Sequence, residues 1–364
     1  MLYVMLFFSL IAGIDKLLGN KKGLGEKFDQ GFLAMGSLAL TIIGIYSLSP
    51  LIAKLIVPIL IPLSEILHLD PSVFIGSILA PDLGGFTTSI SIANNEEIGF
   101  LNGVVLASTL GTIISFTIPV AINMIRLDDF KLFLKGILAG VTTIPLGVFI
   151  SGLMLNVDIK ALVINLIPVI LFSIIVTIGL MKYQDFTIAA FKVIGKTVLF
   201  ISTLGLIVGI FQFSTDIIII PELIPIEDSA KIVLSIAVVL SGAYPMLLIA
   251  SEKLRKPLAG ISKKFGLNEY SILGLLSTLA SCLPMFSVYD KFDNNGKVIN
   301  AAFAVSGAFV FGGQLGYISS VSVDTVNAFI VGKLISGISA IFIAFILIKY
   351  EEGKGFLSDS KSKN

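Results

Sequence analysis

Residues 77–95 read SILAPDLGGFTTSISIANN. Apolar residues flank the stretch, yet its middle cannot continue a helix. Pro81 removes a backbone donor, Gly84 and Gly85 favour a break, and Asp82 places a carboxylate among them. Inside lipid, such backbone survives only where protein covers it or where it lines a wet cavity. A carboxylate at the centre of a spanning helix costs about 2.5–3.5 kcal/mol on insertion scales, so acids kept there are functional by default. The stretch reads as half of a solute-binding site.

The setting is a membrane. The 364-residue chain is 55% hydrophobic and only 13% charged, whereas soluble domains carry about 25% charged residues. Its net charge of +1 offers no basic patch for nucleic acid. A single cysteine, Cys282, excludes an internal disulfide and a cysteine-based metal cluster. A single histidine, His68, argues against a histidine-ligated metal, and no cofactor is expected. Residues 1–18 lack a basic leader and a small-residue cleavage site, and read as a retained first helix.

Apolar runs of spanning length recur at about 1–18, 31–49, 98–122, 136–155, 161–181, 197–214, 230–250, 298–318 and 326–348. Two more, 72–93 and 270–289, are interrupted, and amphipathic stretches 51–67 and 253–265 precede them. The second of these carries Lys253, Arg255, Lys256, Lys263 and Lys264, so it is expected on the membrane surface. Basic loops at 16–27, 126–135, 182–196 and 253–264 mark the cytoplasmic side, with a basic tail after Tyr350. They alternate with lysine-poor loops only if 270–289 enters and leaves on one side.

Residues 77–116 also align without a gap on 277–316, at an offset of two hundred. Ser77 matches Ser277, Leu79 Leu279, Ala80 Ala280, Leu83 Leu283, Phe86 Phe286 and the Asn94–Asn95 pair Asn294–Asn295. The expected fold is therefore an all-α polytopic membrane protein with about nine spanning helices plus two re-entrant or broken hairpins, in an inverted-topology repeat. Residues 1–156 form the first repeat, 157–196 a linking helix and cytoplasmic loop, 197–349 the second repeat, and 350–364 a cytoplasmic polar tail. The competing arrangement is a pair of broken helices that cross the membrane fully.

The runs DKLLGN (15–20), GLGEKF (23–28), GFLAMG (31–36), PDLGGF (81–86) and GGQLG (312–316), with the paired asparagines, resemble the ethanolamine-utilization permease family of bacteria. The resemblance covers essentially the whole chain. It implies a multi-pass protein of the bacterial inner membrane that admits ethanolamine to a cobalamin-dependent lyase pathway, with its C-terminus in the cytoplasm. The expected partners are ethanolamine and the lipid bilayer; a homo-oligomer stays open.

A site for a small ammonium with a hydroxyl needs negative charge or carbonyl dipoles, an aromatic face and hydrogen-bond partners. The first interrupted segment offers Asp82, Phe86, Thr87, Thr88 and Ser89. The bland alternative is that Asp82 caps the half-helix after Leu83; one residue can do both. The second segment carries SCLPMFS at 281–287, with Cys282 where the first has Asp82. Phe286 and Ser287 complete an enclosure, while Ser281 and Cys282 read first as packing residues. Asn102 and Gln314 are further candidates, against the commoner use of such residues as interhelical glue.

Enzymatic readings find little support. Asp290 follows Tyr289, as in intramembrane aspartyl proteases, but the second carboxylate in its Gly-x-Gly-Asp setting is missing. GLG at 23–25 lacks the rest of a phosphate loop. A membrane receptor that senses an amine without moving it is the principal alternative to a transporter.

Overall fold

A computed structural model describes residues 2–265 and 267–361, all helix, turn and loop without a strand among the described residues. Helix α1 (Leu2–Leu17) joins α2 (Leu24–Ser47) through a loop held by Asp15. That carboxylate accepts from the backbone of Lys22 at 3.1 Å and of Leu24 at 3.0 Å. The DKLLGN run thus closes a tight connection. Helix α3 (Ser49–Leu67) follows after a single residue and ends at His68, whose left-handed backbone (φ 54°) stops it. The chain then bends by 112° into α4 (Ser72–Ile78).

Helix α4, a tight turn Pro81–Leu83 and α5 (Gly85–Ile92) form a hairpin. Its two ends meet: Asp70 accepts from the backbone of Asn94 at 2.9 Å and of Asn95 at 3.2 Å. Asn95 then caps α6 (Glu96–Phe100) by accepting from Ile98 N. Two π-helical stretches, Leu101–Gly111 and Ile113–Thr117, continue into α7 (Ile118–Met124). Thr112 Oγ1 donates to the carbonyl of Ala107, five residues back, as this wider winding allows. Every residue from 101 to 115 is buried, which makes this segment the axis of the molecule.

Helices α8 (Leu127–Val141) and α9 (Ile144–Met154) follow, then α10 (Ile159–Lys182), capped by Asp158, and α11 (Gln184–Thr215). The latter two lie at the periphery: 33% and 22% of their apolar windows are covered by protein, against 78% for the central segment. Helix α12 (Ile226–Phe265) leads to a second hairpin, α13 (Glu269–Thr278) and α14 (Cys282–Ser287). Its ends also meet, because Asp293 accepts from Asn268 N at 2.7 Å and from Ser271 Oγ at 2.9 Å. Helices α15 (Asn294–Gly307), α16 (Gly313–Val321) and α17 (Val326–Lys361) complete the chain.

Six helices among the described residues are long and apolar enough to span a membrane: Glu96–Ile122, Leu127–Met154, Ile159–Lys182, Gln184–Thr215, Ile226–Lys253 and Val323–Tyr350. Three expectations need correction. The run 298–318 is not one span: α15 stops at Gly307 and α16 begins at Gly313, with Phe309 in left-handed backbone (φ 63°) between them. The carbonyls of Thr278 and Leu279 take the backbone donors of Phe309 (3.1 Å) and Phe311 (2.8 Å), so the second hairpin stabilises the break. The basic loops 126–135 and 182–196 are instead the first turns of α8 and α11, which start at Leu127 and Gln184. Stretch 253–265 is no separate helix but the continuation of α12. The side chains of Arg255, Lys256, Lys263 and Lys264, and those of the tail beyond Tyr350, lie outside the described residues.

Candidate functional site

Both hairpin tips reach one cavity of about 600 Å³. Ala80, Asp82 and Leu83 come from the first tip, Ala280, Ser281 and Leu283 from the second. Close approach brings the tips in. A Cβ on Gly111 would lie 2.2 Å from the Leu79 carbonyl oxygen, and one on Gly312 would lie 1.8 Å from that of Ala280. Only glycine fits at these two crossings. The turn at Ala80 is pinned to the central segment, its N–H donating to Ser115 Oγ at 3.0 Å.

The polar lining is compact. Asp82 is half-buried on the wall. It does not cap α5, whose N-cap is Gly84 (φ 89°) without a side-chain bond. Gln314, in the first turn of α16, stands on the same wall and donates through Nε2 to Thr112 Oγ1 at 2.7 Å. Its Oε1 accepts from the ammonium of Lys333 at 2.9 Å, and Lys333 also donates to the Ser108 carbonyl at 2.5 Å. Lys333, on α17, is 1% exposed. Gln314 thereby links Lys333 to the cavity that Asp82 lines. Ser281 lines the cavity while its hydroxyl accepts from Leu283 N, capping α14. Farther along the wall stand Lys192 and Lys196 of α11, both exposed.

The remaining sequence candidates sit away from the lining. Phe86 is buried behind the first tip, edge-on to Tyr317 with ring centroids 6.2 Å apart. The Thr87 hydroxyl donates to the Gly84 carbonyl at 3.3 Å, and that of Ser89 to Ser72 at 3.5 Å. Thr88 is buried with its hydroxyl unpartnered. Asn102 exchanges two amide bonds of 2.9 Å with Asn165, locking the central segment to α10. Cys282 is fully buried beside the second tip. Phe286 packs edge-on against Phe133 (5.8 Å), and Ser287 is exposed, bonding the Pro284 carbonyl.

Sequence reasoning missed Lys333, Thr112 and Ser115. The signal for Lys333 was a lone lysine inside the apolar run 326–348. No group of three or more His, Cys, Asp or Glu side chains gathers for a metal among the described residues.

A helical, multi-pass membrane protein with two hairpins closing on an acid-bearing cavity is the class that fold and site define. The chain belongs to the EutH family: the family described as "Ethanolamine utilisation protein, EutH" matches residues 1–347. It is 39% identical over 346 residues to a probable ethanolamine permease EutH of Listeria monocytogenes, covering 95% of this chain and 93% of that one. Against the probable ethanolamine permease EutH of Escherichia coli it is 33% identical over 401 residues, covering 100% and 98%. An uncharacterized protein, YxeR, of Bacillus subtilis is 38% identical over 338 residues, covering 93% and 91%. No solved structure matches.

Proposed function

We propose that this protein carries ethanolamine across the bacterial inner membrane, and that Asp82 holds the ammonium end of the substrate at the meeting point of the two hairpins. The observation that carries this reading is the convergence of both tips, Asp82, Gln314 and Thr112 on one cavity. A carboxylate in a protein-walled cavity suits a small cation, and the hydroxyls and amide beside it suit the alcohol. The names of the relatives support the same substrate.

The inverted repeat belongs to this proposal. Both hairpins are tied at their bases by a carboxylate, Asp70 in one and Asp293 in the other. Both pack through a glycine against a carbonyl at their tips, at Gly111 and Gly312. Paired hairpins with opposite orientation let one half rock against the other around a fixed site. In this arrangement the C-terminus lies in the cytoplasm.

The test is uptake of labelled ethanolamine into proteoliposomes. Saturable uptake by the wild type and its loss in Asp82→Asn are expected. Wild-type uptake by the asparagine variant would remove Asp82 from recognition, and absence of flux with retained binding would favour a receptor.

A further inference from the structure

Lys333 holds a position that recognition of a cation does not by itself require. It is 1% exposed on α17, with its ammonium bonded to the Ser108 carbonyl and to Gln314 Oε1. These two bonds use two of its three donors. Among the described residues, the titratable groups whose fields act on it are Asp82 and Cys282, and Asp82 in turn acts on Tyr317. With both groups charged, the empty site carries one carboxylate and one ammonium.

Resting on the transport reading above, we infer that binding of a small ammonium ion beside Asp82 expels one proton from Lys333 into the cavity, so that the carrier exchanges ammonium for a proton. A substrate ammonium adds a second cation beside a single carboxylate. An uncompensated charge withdrawn from water is heavily penalised, so the site gains by shedding one positive charge. Lysine can release its proton where arginine cannot. An N–H bond of Lys333 breaks, its electron pair stays on Nζ, and the proton passes to cavity water. Asp82 stays ionised opposite the substrate. The neutral amine keeps two N–H groups, enough for both the Ser108 and the Gln314 bonds. The charge of the site is then the same empty and loaded.

Calorimetric titration of ethanolamine into the purified protein, in two buffers of different ionisation enthalpy, counts the protons released. The wild type is expected to release close to one per bound ligand. Lys333→Arg keeps the charge but not the proton exchange; release is expected to fall to near zero and affinity to drop about tenfold or more, a change of about 1.4 kcal/mol. Wild-type binding without release overturns the inference. So does undiminished release by the arginine variant, because the proton then comes from the ligand. Infrared difference spectra of the wild type give a check that needs no variant: no new carboxylate band is expected on binding, and its appearance assigns the proton to Asp82 and overturns the inference. Absence of any binding by the wild type removes the transport reading itself, and the inference with it.

Discussion

Gln314 faces the cavity from the first turn of α16 while it donates to Thr112 and accepts from Lys333. Gln314→Ala removes a buried acceptor from a buried ammonium, which costs about 1–3 kcal/mol. A lower thermal midpoint in detergent is the expected outcome; an unchanged midpoint would mean that the lysine does not depend on this amide. Gly312 has no room at all, its virtual Cβ lying on the Ala280 carbonyl oxygen. Gly312→Ala should destabilise by about 1–3 kcal/mol through overpacking, read in the same melt. At this scale the sequence was informative where a residue contradicts its surroundings. Asp82 stands between Pro81 and a glycine pair in an apolar run, and the cavity wall is where it lies. Lys333 contradicts its surroundings equally, but its partners Ser108 and Gln314 lie on other segments that no local pattern links to it. Phe86 and Asn102 were legible as buried residues, not as facing away from the cavity, because the roll of each helix is set by its neighbours.

The hairpins show why elements were easier to foresee than their boundaries. Helix breakers and small residues mark both segments, yet the closure of each rests on a carboxylate at its base, Asp70 or Asp293, that reads as an ordinary loop acid. Asp70→Ala leaves the Asn94 and Asn95 donors without their acceptor. Faster hydrogen exchange confined to the base of the first hairpin, with the second unchanged, is the expected result. The break in 298–318 was not legible at all, since the carbonyls that stabilise it come from residues 278 and 279. A second long-range tie is the ion pair between Lys297 of α15 and Asp129 of α8, only 9% and 14% exposed. Asp129→Ala leaves the ammonium unpaired and should cost about 3–5 kcal/mol, seen as a large fall in the unfolding midpoint.

For the whole molecule, the two tied hairpins frame one cavity with a small polar patch, in a bundle whose outer helices α10 and α11 expose apolar surface. The proposed opposite orientation of the halves would put Asn94 outside and Asn294 inside; both are exposed. In a Cys282→Ala background, an impermeant maleimide should label Asn94→Cys on intact cells and Asn294→Cys only after permeabilisation. Labelling of both from one side would remove the inverted arrangement. The most direct measurement is a density map of the protein with ethanolamine bound. The expected result is ligand density between the two hairpin tips, with its nitrogen on the Asp82 carboxylate and its hydroxyl toward Gln314 or Thr112. Ligand density elsewhere, or hairpin tips held apart in the bound state, would contradict a shared binding site built from two opposed interruptions.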